Sequence, residues 1–76
     1  MARYKKVEID NPLSLRARAG QTQAQFWPRF GVNGANGSRY ENGVAVPTPT
    51  AILIGLFELG MISDDDLIAA RRAVGR

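Results

Sequence analysis

The sequence predicts an all-α domain of five short helices behind a short N-terminal arm. Three observations carry that expectation. Gly20, Gly31, Gly43 and Gly60 each close an apolar-patterned segment. Helix-start signals open the segments between them: Asn11-Pro12, Thr22 with Gln25, Asn33, Thr48-Pro49 and Ser63. Beyond residue 10, no alternating apolar and polar run suggests a convincing strand.

The elements follow in order. In residues 1–10, Val7 and Ile9 alternate with Lys6, Glu8 and Asp10, so the arm is a short strand-like segment or disordered. Residues 11–76 form the domain. The first helix covers Leu13 to Ala19, with Asn11 as N-cap and Pro12 at the first helical position. The second runs from Gln23 to Phe30, started by a Thr22/Gln25 capping box, and Pro28 should bend it. The third runs from Gly34 to about Glu41 with Asn33 as its cap; Gly34 and Gly37 weaken it by roughly 1 kcal/mol each, so it needs packing to hold it. Val44 to Pro47 is a loop, and the fourth helix starts from Thr48-Pro49 and ends near Leu59. Ser63 caps the fifth, whose Asp64, Asp65 and Asp66 at the start and Arg71 and Arg72 near the end suit the helix dipole.

Composition narrows the function. A chain of 76 residues holds one domain with a modest core, for which self-association adds useful burial. With neither cysteine nor histidine, disulfides, zinc-finger ligation, thiol nucleophiles and imidazole chemistry are excluded. No apolar run follows the Arg3, Lys5 and Lys6 cluster as a secretory signal would, so a cytoplasmic location is expected. The net charge of +3 is uneven: residues 1–43 carry +4 and residues 44–76 carry −1, so a polyanion would face the N-terminal part. No cofactor or metal is expected. The glycines of residues 31–38 lack the Gly-Lys-Ser/Thr of a phosphate loop, and three consecutive acids at a helix start read as capping and dipole residues, so an enzyme is not expected.

The informative stretch is Gly20 to Gly43: two short helices joined by a tight turn at Gly31, with apolar Val32 after it. This is a helix-turn-helix arrangement. Gly20 to Phe26, Phe30-Gly31-Val32 and Ser38-Arg39-Tyr40-Glu41-Asn42-Gly43 align without a gap with the XRE / Cro-like phage-repressor family, which the chain resembles over roughly residues 13–60. The resemblance implies a lambda-repressor-like fold and double-stranded DNA as partner. By position it implies base-reading roles for Asn33, Gly34, Ala35, Asn36, Ser38 and Arg39, and phosphate contacts from Gln23 and Asn42. Gly34 and Ala35 are nearly blank where the family often has longer polar side chains, leaving discrimination to Asn33, Asn36 and Arg39. An Arg pairs bidentately with guanine and an Asn with adenine, each worth about 1–3 kcal/mol of discrimination. Asn33 reads a base or only caps the helix; Arg39 reads a base, meets phosphate or is simply solvated.

Two departures from the family matter. Trp27 stands where a small residue is usual and Gly37 where an aliphatic one is, so Trp27 is expected to pack over Gly37, conserving volume at the helix crossing. The rival reading makes Trp27 an exposed stacking platform. The loop Val44-Ala45-Val46 lacks the basic residues common there; Arg3, Lys5 and Lys6 of the arm would supply substitute phosphate contacts, or form a mere charged tail.

One module makes few contacts, and a dimer on two half-sites gains specificity. The fourth helix is apolar on nearly every side, so Leu53, Phe57, Met61, Ile62, Leu67 and Ile68 are expected at a homodimer interface, unless the fifth helix folds back over that face within one chain. The expected function is a transcriptional repressor or autoregulator on a palindromic operator. The alternative is an antitoxin-like protein-interaction module that also binds DNA.

Overall fold

The computed structural model describes residues 6–76. These form α1 (Pro12–Ala19), α2 (Gln23–Phe26) continued by a 3-10 turn (Trp27–Phe30), α3 (Gly34–Glu41), α4 (Thr48–Glu58) and α5 (Asp64–Ala73). The all-α expectation holds: there is no strand among the described residues. No helix among them is long and apolar enough to cross a membrane.

The second segment is the hub of the fold. Its capping box forms as the sequence suggests: the Thr22 hydroxyl accepts from the Gln25 backbone N–H at 3.2 Å, and the Gln25 side-chain Oε1 accepts from the Thr22 backbone N–H at 3.0 Å. The expected bend at Pro28 takes the form of a change of helix type. The backbone tightens to 3-10 at Trp27, so the donor that proline lacks is missing where the α-helical ladder has already stopped. Three residues per turn stack position i above i+3, which puts Trp27 and Phe30 on the same, buried side. Gly31, at φ 75°, then reverses the chain in a Schellman closure, with Val32 N–H donating to the Trp27 carbonyl and Gly31 N–H to that of Pro28.

The core joins Leu15, Phe26, Trp27, Phe30, Val32, Ile54 and Leu67. Phe26 meets Trp27 and Phe30 edge to face at 5.0 and 5.3 Å, and Phe30 meets Phe57 of α4 at 5.6 Å. Arg29 covers this aromatic group. Its guanidinium lies 4.7 Å from the Phe57 ring centre and donates to Asp64 at 2.7 Å and to the Gln21 side chain at 2.8 Å, tying the start of α5 to the second segment. Ser63 caps α5 as expected, and the cap is a full capping box with Asp66.

Three local expectations are corrected. Asn11 makes no side-chain cap; its φ of −128° and ψ of 69° are not the extended conformation from which a cap reaches back, and its carbonyl alone accepts from Ser14. Thr48 is inside α4 rather than its cap, because Pro47 takes the capping position and its carbonyl accepts from Ala51 at 2.8 Å. Val7 and Ile9 are not in a strand: tight turns link Ile9 to Val7 and Asn11 to Glu8, and both apolar side chains are half-buried against the core.

The expected dimer residues also divide. Leu67 is 4% exposed, inside the monomer's own core, because α5 folds back onto the 3-10 turn. Leu53, Phe57 and Ile62 are half-buried against that core. Met61 and Ile68 are exposed.

Trp27 packs over Gly37 as the sequence comparison of the two positions suggests. A Cβ on Gly37 would stand 2.5 Å from Trp27 Cδ1 and Cγ, and Trp27 is fully buried, which removes the stacking-platform reading. Gly37→Ala therefore loses about 1–3 kcal/mol by overpacking, against alanine's better helix propensity. Urea denaturation checks this. In the double variant with Trp27→Leu, the combined loss falls below the sum of the single losses.

Candidate nucleic-acid interface

The third helix presents one continuous edge to solvent. Gly37 and Glu41 face inward, Tyr40 packs against Trp27 at 5.5 Å, and the opposite side carries Ala35, Ser38, Arg39 and Asn42. Asn33 and Gly34 extend that edge at the helix start. Asn36 sits half-buried on its flank. The Asn33 side-chain Oδ1 accepts from the Asn36 backbone N–H at 2.8 Å, so Asn33 is the N-cap, with its side-chain NH2 left over. Asn42 donates to the Ser38 carbonyl at 2.7 Å, a bond within the helix that fixes its side chain on the exposed edge. Among the described residues, the Arg39 guanidinium has no hydrogen bond or ion pair.

What holds this edge in place is a residue the sequence reading passed over. The Glu41 carboxylate, with 4% of its side chain exposed, accepts four hydrogen bonds. Two come from Arg16 of α1 at 2.9 Å each, one from the Gln23 amide at 3.0 Å and one from the Trp27 indole N–H at 2.7 Å. Arg16 also donates to the Gln21 carbonyl at 3.0 Å. Burial opposes the charge on Glu41, but the hydrogen bonds from Arg16, Trp27 and Gln23 and the Arg16 charge outweigh it and hold the carboxyl at about 2. The same pairing holds the Arg16 guanidinium above its ordinary value, chiefly through the hydrogen bond to Glu41.

Two signals in the sequence point to Glu41. An acid in the last turn of a helix opposes the dipole, so it needs a partner elsewhere. A buried Trp27 needs an acceptor for its N–H, and Glu41 lies one turn after Gly37 on the same face. Gln23, expected as an exposed donor for phosphate, is half-buried with one amide hydrogen committed to Glu41; the other remains.

The described end of the arm lies beside this site. Ile9, Asp10 and Pro12 share a shallow cavity with Tyr40, Val44 and Val46, so this end meets the C-terminal end of α3 and the loop after it. Lys6 is exposed. Arg3 and Lys5 lie outside the described residues.

The profile of the RsaL-like HTH domain family matches residues 13–57, more than half of the chain and the whole span from α1 through Phe57 of α4. The chain belongs to the RsaL-like helix-turn-helix domain family. The helix-turn-helix pair read from the sequence, α2 with its 3-10 continuation followed by α3, lies inside the matched span. The match supports the helix-turn-helix class read from the sequence and names the RsaL-like branch of it. Comparison with curated proteins and with solved structures finds no match.

Glu41→Gln removes the charge while keeping the shape and leaves Arg16 without its counter-charge, a loss of about 2–3 kcal/mol at neutral pH, below the range for a fully buried pair because Arg16 is partly exposed. Because the folded carboxyl titrates below its ordinary value, its contribution is complete above about pH 4.3 and fades as pH falls towards 2. Chemical denaturation at a series of pH values should show a falling limb in that window, flattened in Glu41→Gln.

Proposed function

We propose that the protein is a transcriptional repressor or autoregulator that binds a palindromic operator as a homodimer, with α3 of each subunit in the major groove. The observation that carries this reading is the exposed edge of α3, where an unpaired Arg39 stands among short polar side chains on a helix braced from behind by Trp27 and Glu41. The family supplies the DNA-binding class, and the Cro-like spacing supplies the assignment of side chains to bases. Arg39 reads guanine. Asn36, from its flank, and the free amide of Asn33 reach neighbouring bases. Gln23, held in position by Glu41, offers its second N–H to phosphate, and Asn42 and Lys6 meet the backbone further along.

Gly34 fits the same picture. Its φ is not positive, and a Cβ there would meet nothing within 4 Å, so neither backbone nor packing calls for glycine. The N–H groups of Gly34 and Ala35 have no partner among the described residues. A bare helix start lets the duplex approach these amides closely. A dimer seated this way covers the promoter it binds, and repression follows from excluding other proteins.

Selection from a random duplex library should return a two-fold symmetric site with half-sites ~34 Å apart. Arg39→Ala should flatten preference at one base pair per half-site, whereas Lys6→Ala should weaken binding evenly and lower the salt slope by about one. An unchanged motif for Arg39→Ala would overturn its base-reading role. Gly34→Leu should leave the unfolding midpoint near that of the wild type while weakening duplex binding, read by fluorescence anisotropy on the selected site.

A further inference from the structure

Asn is followed by Gly at Asn33-Gly34, Asn36-Gly37 and Asn42-Gly43, and all three pairs lie in α3 or at its ends. In water such a pair is chemically unstable. The backbone nitrogen of the glycine, with no side chain in its way, attacks the carbonyl carbon of the Asn side chain. A C–N bond forms, ammonia leaves, and a cyclic imide remains. Water then opens the imide at either carbonyl. The product is aspartate or, with the main chain routed through the side-chain carbon, isoaspartate. The net change is one water consumed and one ammonia released. Ring closure needs the peptide unit between the two residues to turn until its nitrogen faces the side chain, so hydrogen bonds on that unit oppose it.

The three peptide units are held differently. Asn36-Gly37 lies inside α3, where the Gly37 N–H donates to the Asn33 carbonyl at 2.9 Å and the Trp27 ring packs against Gly37. At Asn33-Gly34 the nitrogen is free, but the Asn33 carbonyl accepts that bond from Gly37 and its side chain accepts from the Asn36 N–H at 2.8 Å. Ring closure at Asn33 therefore gives up both the cap and a backbone bond of the helix. Asn42-Gly43 carries neither restraint. Among the described residues, the Asn42 carbonyl accepts no hydrogen bond and the Gly43 N–H donates none. Both residues are exposed and lie past Glu41, the last residue of α3. Gly43 stands at φ 105°, a conformation that keeps glycine at this turn. What restrains the Asn42 side chain is its bond to the Ser38 carbonyl at 2.7 Å, which is open to competing water.

We propose that Asn42-Gly43 is a site of spontaneous deamidation, and that the acid it leaves withdraws the protein from DNA. The second half rests on the reading above, in which Asn42 meets the duplex backbone. Conversion replaces a neutral donor with a negative charge facing phosphate. It also sets an acid at the C-terminal end of α3, where the helix dipole disfavours one. Isoaspartate does more. The N–H groups of Asn42 and Val44 both donate to the Arg39 carbonyl at 3.0 Å, which closes the helix on the residue assigned to guanine. An extra main-chain carbon between those two donors displaces the second bond and loosens the turn that carries Arg39.

Mass-spectrometric peptide mapping of the full chain, incubated in warm, mildly alkaline buffer, tests the site. In the folded chain Asn42 should convert roughly tenfold or more faster than Asn33, with Asn36 the slowest. In concentrated urea the three become bare Asn-Gly pairs, and their rates should draw together. Asn11, whose neighbour Pro12 has no hydrogen on its nitrogen, should stay intact in both conditions. Faster conversion at Asn33 or Asn36 in the folded chain, or the same spread of rates in urea, overturns the site. Duplex binding, read by fluorescence anisotropy, tests the consequence. Asn42→Gln, which must close a larger ring, should keep its own starting affinity through an incubation in which that of the wild type falls. Freshly prepared Asn42→Asp, its helix content checked by circular dichroism, should bind roughly tenfold more weakly than the wild type at low salt. A decline of Asn42→Gln in step with the wild type, or an Asn42→Asp chain that binds as tightly, overturns the effect on DNA. Failure of every fresh chain to bind duplex would sink the DNA-binding reading itself, without touching the order of the rates.

Discussion

A single carboxylate organises the DNA-binding half of this molecule. Glu41 sits in the last turn of α3, where the helix dipole disfavours an acid, and it is almost wholly withdrawn from water. Left unpaired, such a charge would be expelled or neutralised. It stays because α1 sends two N–H groups from Arg16, α2 sends the amide of Gln23, and the 3-10 turn sends the indole of Trp27. Buried ionic groups often add little net stability over an apolar equivalent, but they restrict which arrangement satisfies them. Here the restriction falls on the orientation of α3 relative to α1 and α2. A reading helix needs that orientation fixed, because base contacts depend on where its edge sits in the groove.

The apolar packing works on the same contact. The notch at Gly37 admits Trp27 close to the α3 backbone, and Glu41, one turn further on, takes the indole proton at 2.7 Å. Steric fit and hydrogen bond therefore constrain the same ring from two sides. The ring is delivered by a backbone change that proline makes cheap. With the α-helix ending at Phe26, the 3-10 turn brings Trp27 and Phe30 into register on one side, towards α3 and α4 respectively.

Much of this was legible in the residues. Several local signals that act over three or four positions read true: the Thr22/Gln25 box, the Ser63 and Asn33 caps and the stop at Gly31 all depend on contacts within one turn, whereas the Asn11 and Thr48 caps gave way to the backbone conformation beside their prolines. The Trp27–Gly37 pair was legible too, because two departures of opposite size at touching positions leave one economical explanation. The Glu41 network was harder. Arg16 and Glu41 are 25 positions apart, and nothing in periodicity pairs one arginine with one acid across that distance. The division of the expected dimer residues between core and surface was hidden for a related reason. A helix apolar all round does not declare which side meets its own core, and Leu53 and Phe57 took that role only once Phe30 and Leu67 were placed beside them.

The three non-turn glycines of the helices show how the same residue answers different constraints. At Gly37 the missing side chain is filled from within by Trp27. At Gly34 and Gly55 it is filled by nothing in the chain, and both positions face outward. These two surfaces are not mechanically independent. The core side of α4 meets Phe30 through Phe57, Phe30 belongs to the same short turn as Trp27, and Trp27 grips α3. A close-packed interior transmits such a chain of contacts with little give. A displacement of α4 is thereby passed through the aromatic group to the exposed edge of α3 rather than absorbed by a flexible link.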